Sequence, residues 1–165
     1  MDAIDPGPTD PDADPRHVFI ERLALLWESS GLPRIAGRVM AFLLTANPEA
    51  QTSEQLALAV GASRASISTM TRLLIRAGFI DRVAVRGSRS DAFRAREGAP
   101  AALTREALGM ISATRIVIEQ GLAAVADDPS AVARMGEWRD LYAFMEIEYP
   151  ALLRRWEQQW KERGQ

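Results

Sequence analysis

The 165-residue chain contains no cysteine, a single histidine, His17, a single lysine, Lys161, and two tyrosines. Without thiols there is no disulfide and no thiolate metal site, and one histidine cannot form a histidine pair. No metal site is expected. No stretch of 18 apolar residues occurs, and the N-terminus lacks a basic region leading into an apolar run, so neither a membrane span nor a secretory signal is expected. The default is a cytoplasmic protein. Also missing are a Gly-rich phosphate loop and any nucleophile, base and orienting group at catalytic spacing. We therefore expect no enzyme, no catalytic residues and no cofactor, with His17 simply exposed.

What is present is enough apolar material, 47% of the residues, for a real core, and an uneven distribution of charge. The formal net charge is only −2. Residues 1–15 hold five aspartates and no base, residues 51–96 hold eight bases against three acids, and 97–165 hold eight bases against eleven acids. Only the 51–96 segment is clearly basic, which points to a polyanionic partner for that part of the chain. Of the 20 basic residues 19 are arginine, but the bias runs the whole length and marks no particular site.

Along the chain, residues 1–16, rich in Pro, Asp and Gly, read as a disordered acidic tail. Residues 17–50 read as two supporting helices. The first, about 17–30, has Phe19, Leu23, Leu26 and Trp27 as its apolar stripe; the second follows Pro33, has Ile35, Val39, Phe42 and Leu43, and stops near Ala46. Residues 51–98 change character. A short helix capped by Thr52 or Ser53 closes on Gly61, and a second opens at Ser63 with Ile67, Met70, Leu74 and Ala77 on its inner face. "FIDRVAV", "RGSRS" and "DAFRAR" then read as strand, turn and strand. Two helices at a tight turn followed by a hairpin make a winged helix-turn-helix, so the fold class is mainly α with a small β-hairpin wing.

Residues 99–165 are helical again. From Pro100, Ala107, Ile111, Thr114, Ile118, Leu122 and Val125 make one apolar stripe and Leu103, Met110, Val117 and Ala124 a second, so the helix must be covered on two sides. Asp128 and Pro129 start a last helix running to about Arg163, with Trp138, Tyr142, Met145, Tyr149, Leu152, Trp156 and Trp160 as its seam and Pro150 as a kink or new start. At about 1.5 Å per residue it is on the order of 50 Å long, more than one small core covers. A second copy is the simplest cover, so these are expected to be dimerisation helices.

The helix after Ser63 is the informative element. Serine and threonine weaken a helix because their hydroxyls compete for backbone groups, yet Ser63, Ser66, Ser68, Thr69 and Thr71 crowd into it beside Arg64, Arg72 and Arg76. Hydroxyls approach phosphates and base edges closely, and arginine makes two-pronged contacts to guanine. Ser66, Ser68, Thr69 and Arg72 are expected toward the major groove. The competing reading is a cap plus a solvated face; the basic segment and the arginines of the hairpin weigh against it.

"SRASISTMTRLLIRAGFIDRV" resembles the recognition helix and first wing strand of MarR-type regulators, and "GLPRIAGRVMAFLL", "RGSRSDAFRA" and "YAFMEIEYPALLRRW" resemble the GbsR-like branch of that family. The resemblance covers about residues 17–160. It implies a homodimeric winged-helix transcription factor, usually a repressor on an inverted-repeat operator in double-stranded DNA, with affinity set by a small effector. It also implies that Ser63, Arg64, Ser66, Ser68 and Thr69 touch groove and phosphates, with Arg86 and Arg89 forming the wing. Many relatives set an acid beside an arginine at the wing tip; here Asp91 either braces Arg89 or belongs to the strand. The branch suggests a choline-like cation, and Trp27, Trp138, Tyr142 and Phe144 are the candidate pocket for a hydrophobic or cationic effector by cation–π attraction. Aromatic residues at helical spacing are more often ordinary interface core. The alternative function is a winged-helix module for protein–protein contact without specific DNA binding.

Overall fold

A computed structural model describes residues 14–84 and 91–163. Its elements in chain order are α1 (Pro15–Ser29), α2 (Arg34–Thr45), β1 (Gln51–Thr52), α3 (Ser53–Val60), α4 (Arg64–Arg76), β2 (Ile80–Ala84), β3 (Asp91–Ala95), α5 (Ala99–Ala124) and α6 (Pro129–Glu162). The chain divides into two compact units, one through Ala99 and one from Pro100. No helix among the described residues is long and apolar enough to cross a membrane.

The first unit is built around α2. Ala36, Gly37, Val39, Met40, Ala41 and Leu43 are all buried, so this helix is covered on nearly every side. Val39 and Leu43 meet Leu56 of α3, Ile67 and Leu74 of α4, Ile80 of β2 and Phe93 of β3 in one core. The strands form a three-stranded antiparallel sheet in the order β1-β3-β2, with Ile80 opposite Ala95 and Ala84 opposite Asp91. The short first strand, where Gln51 faces Phe93 and Thr52 faces Ala92, has no sequence signal, since two residues cannot show a period.

Helix α1 differs from its expected stripe. Ile20 and Ala24 are buried, Trp27 packs on the core and its ring lies 4.8 Å from that of Phe79, Leu23 is half-buried, and Phe19 and Leu26 are exposed. The reason is a close helix crossing. A Cβ placed on Gly37 would stand 2.6 Å from Ala24 Cα, so the two backbones touch where two small residues meet and the face around Ala24 turns inward. Across the same pair Glu21 bridges two arginines. Arg34 Nη2 donates to its Oε2 at 2.9 Å and Arg38 Nη2 at 2.7 Å; Arg38 Nε lies 2.7 Å from Oε1, off the line a hydrogen bond needs. Burial opposes the charge on Glu21, but the hydrogen bonds and charges of Arg38 and Arg34 outweigh it and hold the carboxyl below its ordinary value.

In the second unit α5 and α6 lie antiparallel, for Arg105 pairs with Glu157 while Arg115, ten residues on, pairs with Glu146, eleven residues back. Asp128 caps α6 by accepting from the amides of Ser130 and Ala131, with Pro129 next. Pro150 does not start a new helix. The helical run is unbroken, and the proline only removes the bond to the Glu146 carbonyl. One stripe of α5 is covered at Ile111 and half-covered at Thr114, Ile118, Leu122 and Val125, but Met110 and Val117 of the other are 69% and 66% exposed. On α6 Trp138, Leu141, Phe144, Ile147, Leu152 and Trp160 are also exposed.

Gly37→Ala is expected to destabilise the protein by about 1–3 kcal/mol, because backbone stands where the methyl group must go. Denaturation midpoints at one fixed protein concentration measure it, and an unchanged midpoint contradicts the crossing. Glu21 has a lowered folded pKa, so its contribution is present above the unfolded value and lost as pH falls through the folded one. Glu21→Gln should thus be less stable than wild type at neutral pH, with the gap closing as both are taken below about pH 4. Parallel stability curves across that range would remove Glu21 from the acid response.

Candidate nucleic-acid interface

Three caps set the position of α4. Thr52 Oγ1 accepts from the Gln55 amide at 3.2 Å while the Gln55 side chain accepts from the Thr52 amide at 2.7 Å, closing a capping box at the start of α3. Gly61 ends α3 at φ 63° and ψ 40°, a left-handed conformation that costs a residue with a Cβ about 1–2 kcal/mol. Two residues later Ser63 Oγ accepts from the Ser66 amide at 3.1 Å and starts α4. The turn is therefore short and stiff.

With Ile67, Thr71 and Leu74 buried, α4 leaves Ala65, Ser68, Thr69, Arg72 and Arg76 exposed on one face. Ser66 is half-buried and its hydroxyl lies 2.9 Å from that of Ser63, so it belongs to the cap. Thr71, absent from the expected inner stripe, is 3% exposed and donates to the Ile67 carbonyl at 2.9 Å. Its hydroxyl is satisfied within the helix, which is how a polar side chain occupies a core position. Thr69 Oγ1 donates to the Ala65 carbonyl at 3.1 Å and Arg72 Nε to the Ser68 carbonyl at 3.0 Å. Each bond has a chemical consequence. With its proton engaged, Thr69 presents lone pairs and suits an amino group, while Arg72 keeps its terminal Nη donors for an acceptor.

A groove of about 590 Å³ runs between the start of α3, the face of α4 and the wing strands, with Ser53, Arg64, Ser68, Arg72 and Arg82 among its walls. Two of these arginines already hold carboxylates: Arg64 Nη2 is 2.7 Å from Glu54 Oε1, and Arg82 Nη1 is 3.2 Å from Asp91 Oδ2. Both pairs are largely exposed, and such pairs contribute little to stability. Asp91 is thus the first residue of β3 and pairs with Arg82, a residue the sequence reading did not single out. A basic side chain two ladder steps from an acid is the signal that finds it, once the register is known. Arg86, Arg89 and the "RGSRS" turn lie outside the described residues.

The structure does not gather the four aromatic residues of the expected pocket into one unit. Trp27 belongs to the first, on Phe79, whereas Trp138, Tyr142 and Phe144 lie on α6 in the second. Trp138 stacks on Tyr142 with centroids 6.1 Å apart and, with Thr114, Ile118 and Met135, lines an apolar pocket of about 400 Å³.

A capped helix-turn-helix with a polar, arginine-bearing outer face, backed by a three-stranded sheet, defines a winged-helix DNA-binding fold. Comparison with known proteins places it more closely. Residues 98–159 match the family model described as MmpR5-like MarR family transcriptional regulator. The chain is 41% identical over 146 residues to the HTH-type transcriptional regulator MmpR5 of Mycobacterium tuberculosis, covering 88% of this chain and 87% of that protein. It also matches a crystal structure of a transcriptional regulator at 40% identity and a TM-score of 0.73, over 88% of this chain and 99% of the other. The chain belongs to the MarR family of transcriptional regulators, with MmpR5-like relatives. These relatives are regulators and not enzymes.

Proposed function

We propose that the protein is a homodimeric, ligand-responsive repressor that reads an inverted-repeat operator in double-stranded DNA with α4. The observation that carries this reading is the outer face of α4, where Ser68, Thr69 and Arg72 stand exposed opposite the buried Ile67, Thr71 and Leu74. Ser63 and Arg64, at the helix start, are assigned to phosphates, since a helix N-terminus favours anions, and Ser66, expected toward the major groove, is assigned there with them because its half-buried hydroxyl belongs to the cap. Arg86 and Arg89 are assigned to the wing. As domains, residues 51–98 read DNA, 17–50 support them and 99–165 dimerise.

Support for a dimer comes from the apolar residues a single chain leaves in water. Met110 and Val117 on α5 and the row along α6 are large apolar side chains left exposed on one helix pair, and Phe19 and Leu26 are exposed on α1. A two-fold dimer presents two copies of α4, so half-sites about one helical turn, ~10 bp, apart are expected. The GbsR-like placement rests on the motifs at 31–44, 86–95 and 142–156, and carries with it a cationic or hydrophobic effector. Trp138, Tyr142 and Phe144 on α6 are proposed to take it, and Trp27, which packs on Phe79 in the first unit, is left out of the pocket. Release of DNA by tenfold to a hundredfold requires only ~1.4–2.8 kcal/mol of preference for the arrangement that does not bind.

The DNA contacts are tested on sequences selected from a random duplex pool. Arg72→Ala should weaken binding and relax the base preference, and Thr69→Ala should shift preference at a position carrying adenine or cytosine, whose amino group the threonine accepts. Arg89→Ala should weaken all sequences alike and lower the salt slope by roughly 0.9. Absence of any salt-dependent duplex binding would favour the protein-contact module instead.

For the dimer, Val117→Glu is the sharp variant. In a monomer such a surface substitution stays within about ±0.5 kcal/mol, whereas at a two-fold seam it should convert a species of twice the chain mass to one chain or to aggregate. Sedimentation of an unchanged dimer places the seam elsewhere. Titration of choline-like cations and small apolar aromatics, followed by indole fluorescence and by release of the operator, tests the effector. No change in either would return these aromatic residues to the role of interface core.

A further inference from the structure

We propose that residues 1–13 of this chain dock into the arginine-lined groove between α3, α4 and the wing, and compete there with non-specific DNA. The inference rests on the DNA-binding reading above. The segment carries Asp2, Asp5, Asp10 and Asp12 and no basic residue, while the groove is lined by Arg64, Arg72 and Arg82 against Glu54 and Asp91. The two are therefore complementary in charge. The groove also takes carboxylates already, at Glu54 on Arg64 and Asp91 on Arg82. These pairs are exposed and exchangeable, so an aspartate of the segment can replace or join them at little cost. Arg72, whose terminal nitrogens hold no carboxylate among the pairs above, lines the same groove.

Reach is sufficient. Asp14 begins the described chain, and Arg16 Nε donates to Thr45 Oγ1 at 2.9 Å, which puts the start of α1 beside the end of α2. Thr52, on the groove wall, is seven residues beyond Thr45, so it stands within about 25 Å of it. Thirteen residues with three prolines, Pro6, Pro8 and Pro11, span about 40 Å at ~3.1 Å per residue. A tethered ligand acts at an effective concentration in the millimolar range, so weak ion pairing suffices for occupancy. Specific DNA, which adds base contacts, displaces the segment; random duplex, which offers only phosphates, competes on equal electrostatic terms. Because the segment must leave for either duplex, it lowers both affinities by the same factor, so weak binding to random duplex is lost first while the tighter operator stays occupied.

The experiment compares the full chain with its D2N/D5N/D10N/D12N variant in two measurements. Binding of a random-sequence 20-bp duplex is followed by anisotropy at 50 and 300 mM NaCl, and the Nε–H signals of Arg64, Arg72 and Arg82 are followed by NMR without DNA. The variant should bind random duplex about three- to tenfold more tightly at 50 mM and equally at 300 mM, where screening is shorter-ranged, and the arginine signals should move. Equal affinity at 50 mM overturns the competition. Tighter binding with unmoved arginine signals overturns docking and leaves only a through-space field. If neither protein binds any duplex, the DNA-binding reading falls while the arginine signals still decide docking: movement supports it and constancy overturns it.

Discussion

The seating of α4 on α2 is the contact on which the rest of the molecule's arrangement depends. Ile67 and Leu74 are completely buried against Val39, Leu43 and Leu56, and that burial decides which third of the helix is left for solvent. Rotating α4 by one residue would carry a leucine outward and an arginine into the core, at a cost far above the net stability of a domain this size. The exposed face is thus held by what lies behind it. Thr71 shows how tight the constraint is, since a hydroxyl on the buried side is tolerated only because the Ile67 carbonyl takes its proton.

The same logic runs outward from α2. Because Gly37 and Ala24 let two backbones touch, α1 lies close and Glu21 reaches both Arg34 and Arg38, so a packing choice creates an electrostatic one. At the other side of α2, Gly61 and the caps at Thr52 and Ser63 make the turn rigid enough that α3 positions the start of α4. The reading role proposed for α4 requires its register to be held within a fraction of a residue's rise, and a stiff turn meets that requirement. The exposed carboxylates Glu54 and Asp91 add a further layer. They orient Arg64 and Arg82 without burying charge, which keeps both guanidiniums exchangeable.

The second unit solves a different problem. Two long helices paired by Arg105–Glu157 and Arg115–Glu146 have a defined alignment, yet they leave Val117, Ile147 and Leu152 in water. Charge pairs set which residues face each other, and apolar rows decide what else must be covered. Glu146 illustrates the first role: hydrogen bonds from Ser112 and Arg115 hold its carboxyl below the ordinary value, so what this pairing contributes is lost only as pH falls through the lowered folded value. Those uncovered rows are what the proposed dimer would bury.

Much of this was legible in the sequence because it is local. Helix limits follow from caps and breakers, and Thr52, Gly61, Ser63, Asp128 and Pro129 sit at element ends for reasons that need only their neighbours. The exposed hydroxyl and arginine face of α4 follows from a period of 3.6, and the hairpin from a period of 2. Tertiary structure decided what depends on residues distant along the chain. Which stripe of α1 turns inward was set by Gly37, thirteen residues after Ala24; the partner of Asp91 was set by strand register; the two-residue strand β1 exists only because β3 comes to lie beside it. A sequence states the intrinsic preference of each segment, but a choice between two nearly equal faces is made by the surface that arrives to cover one of them.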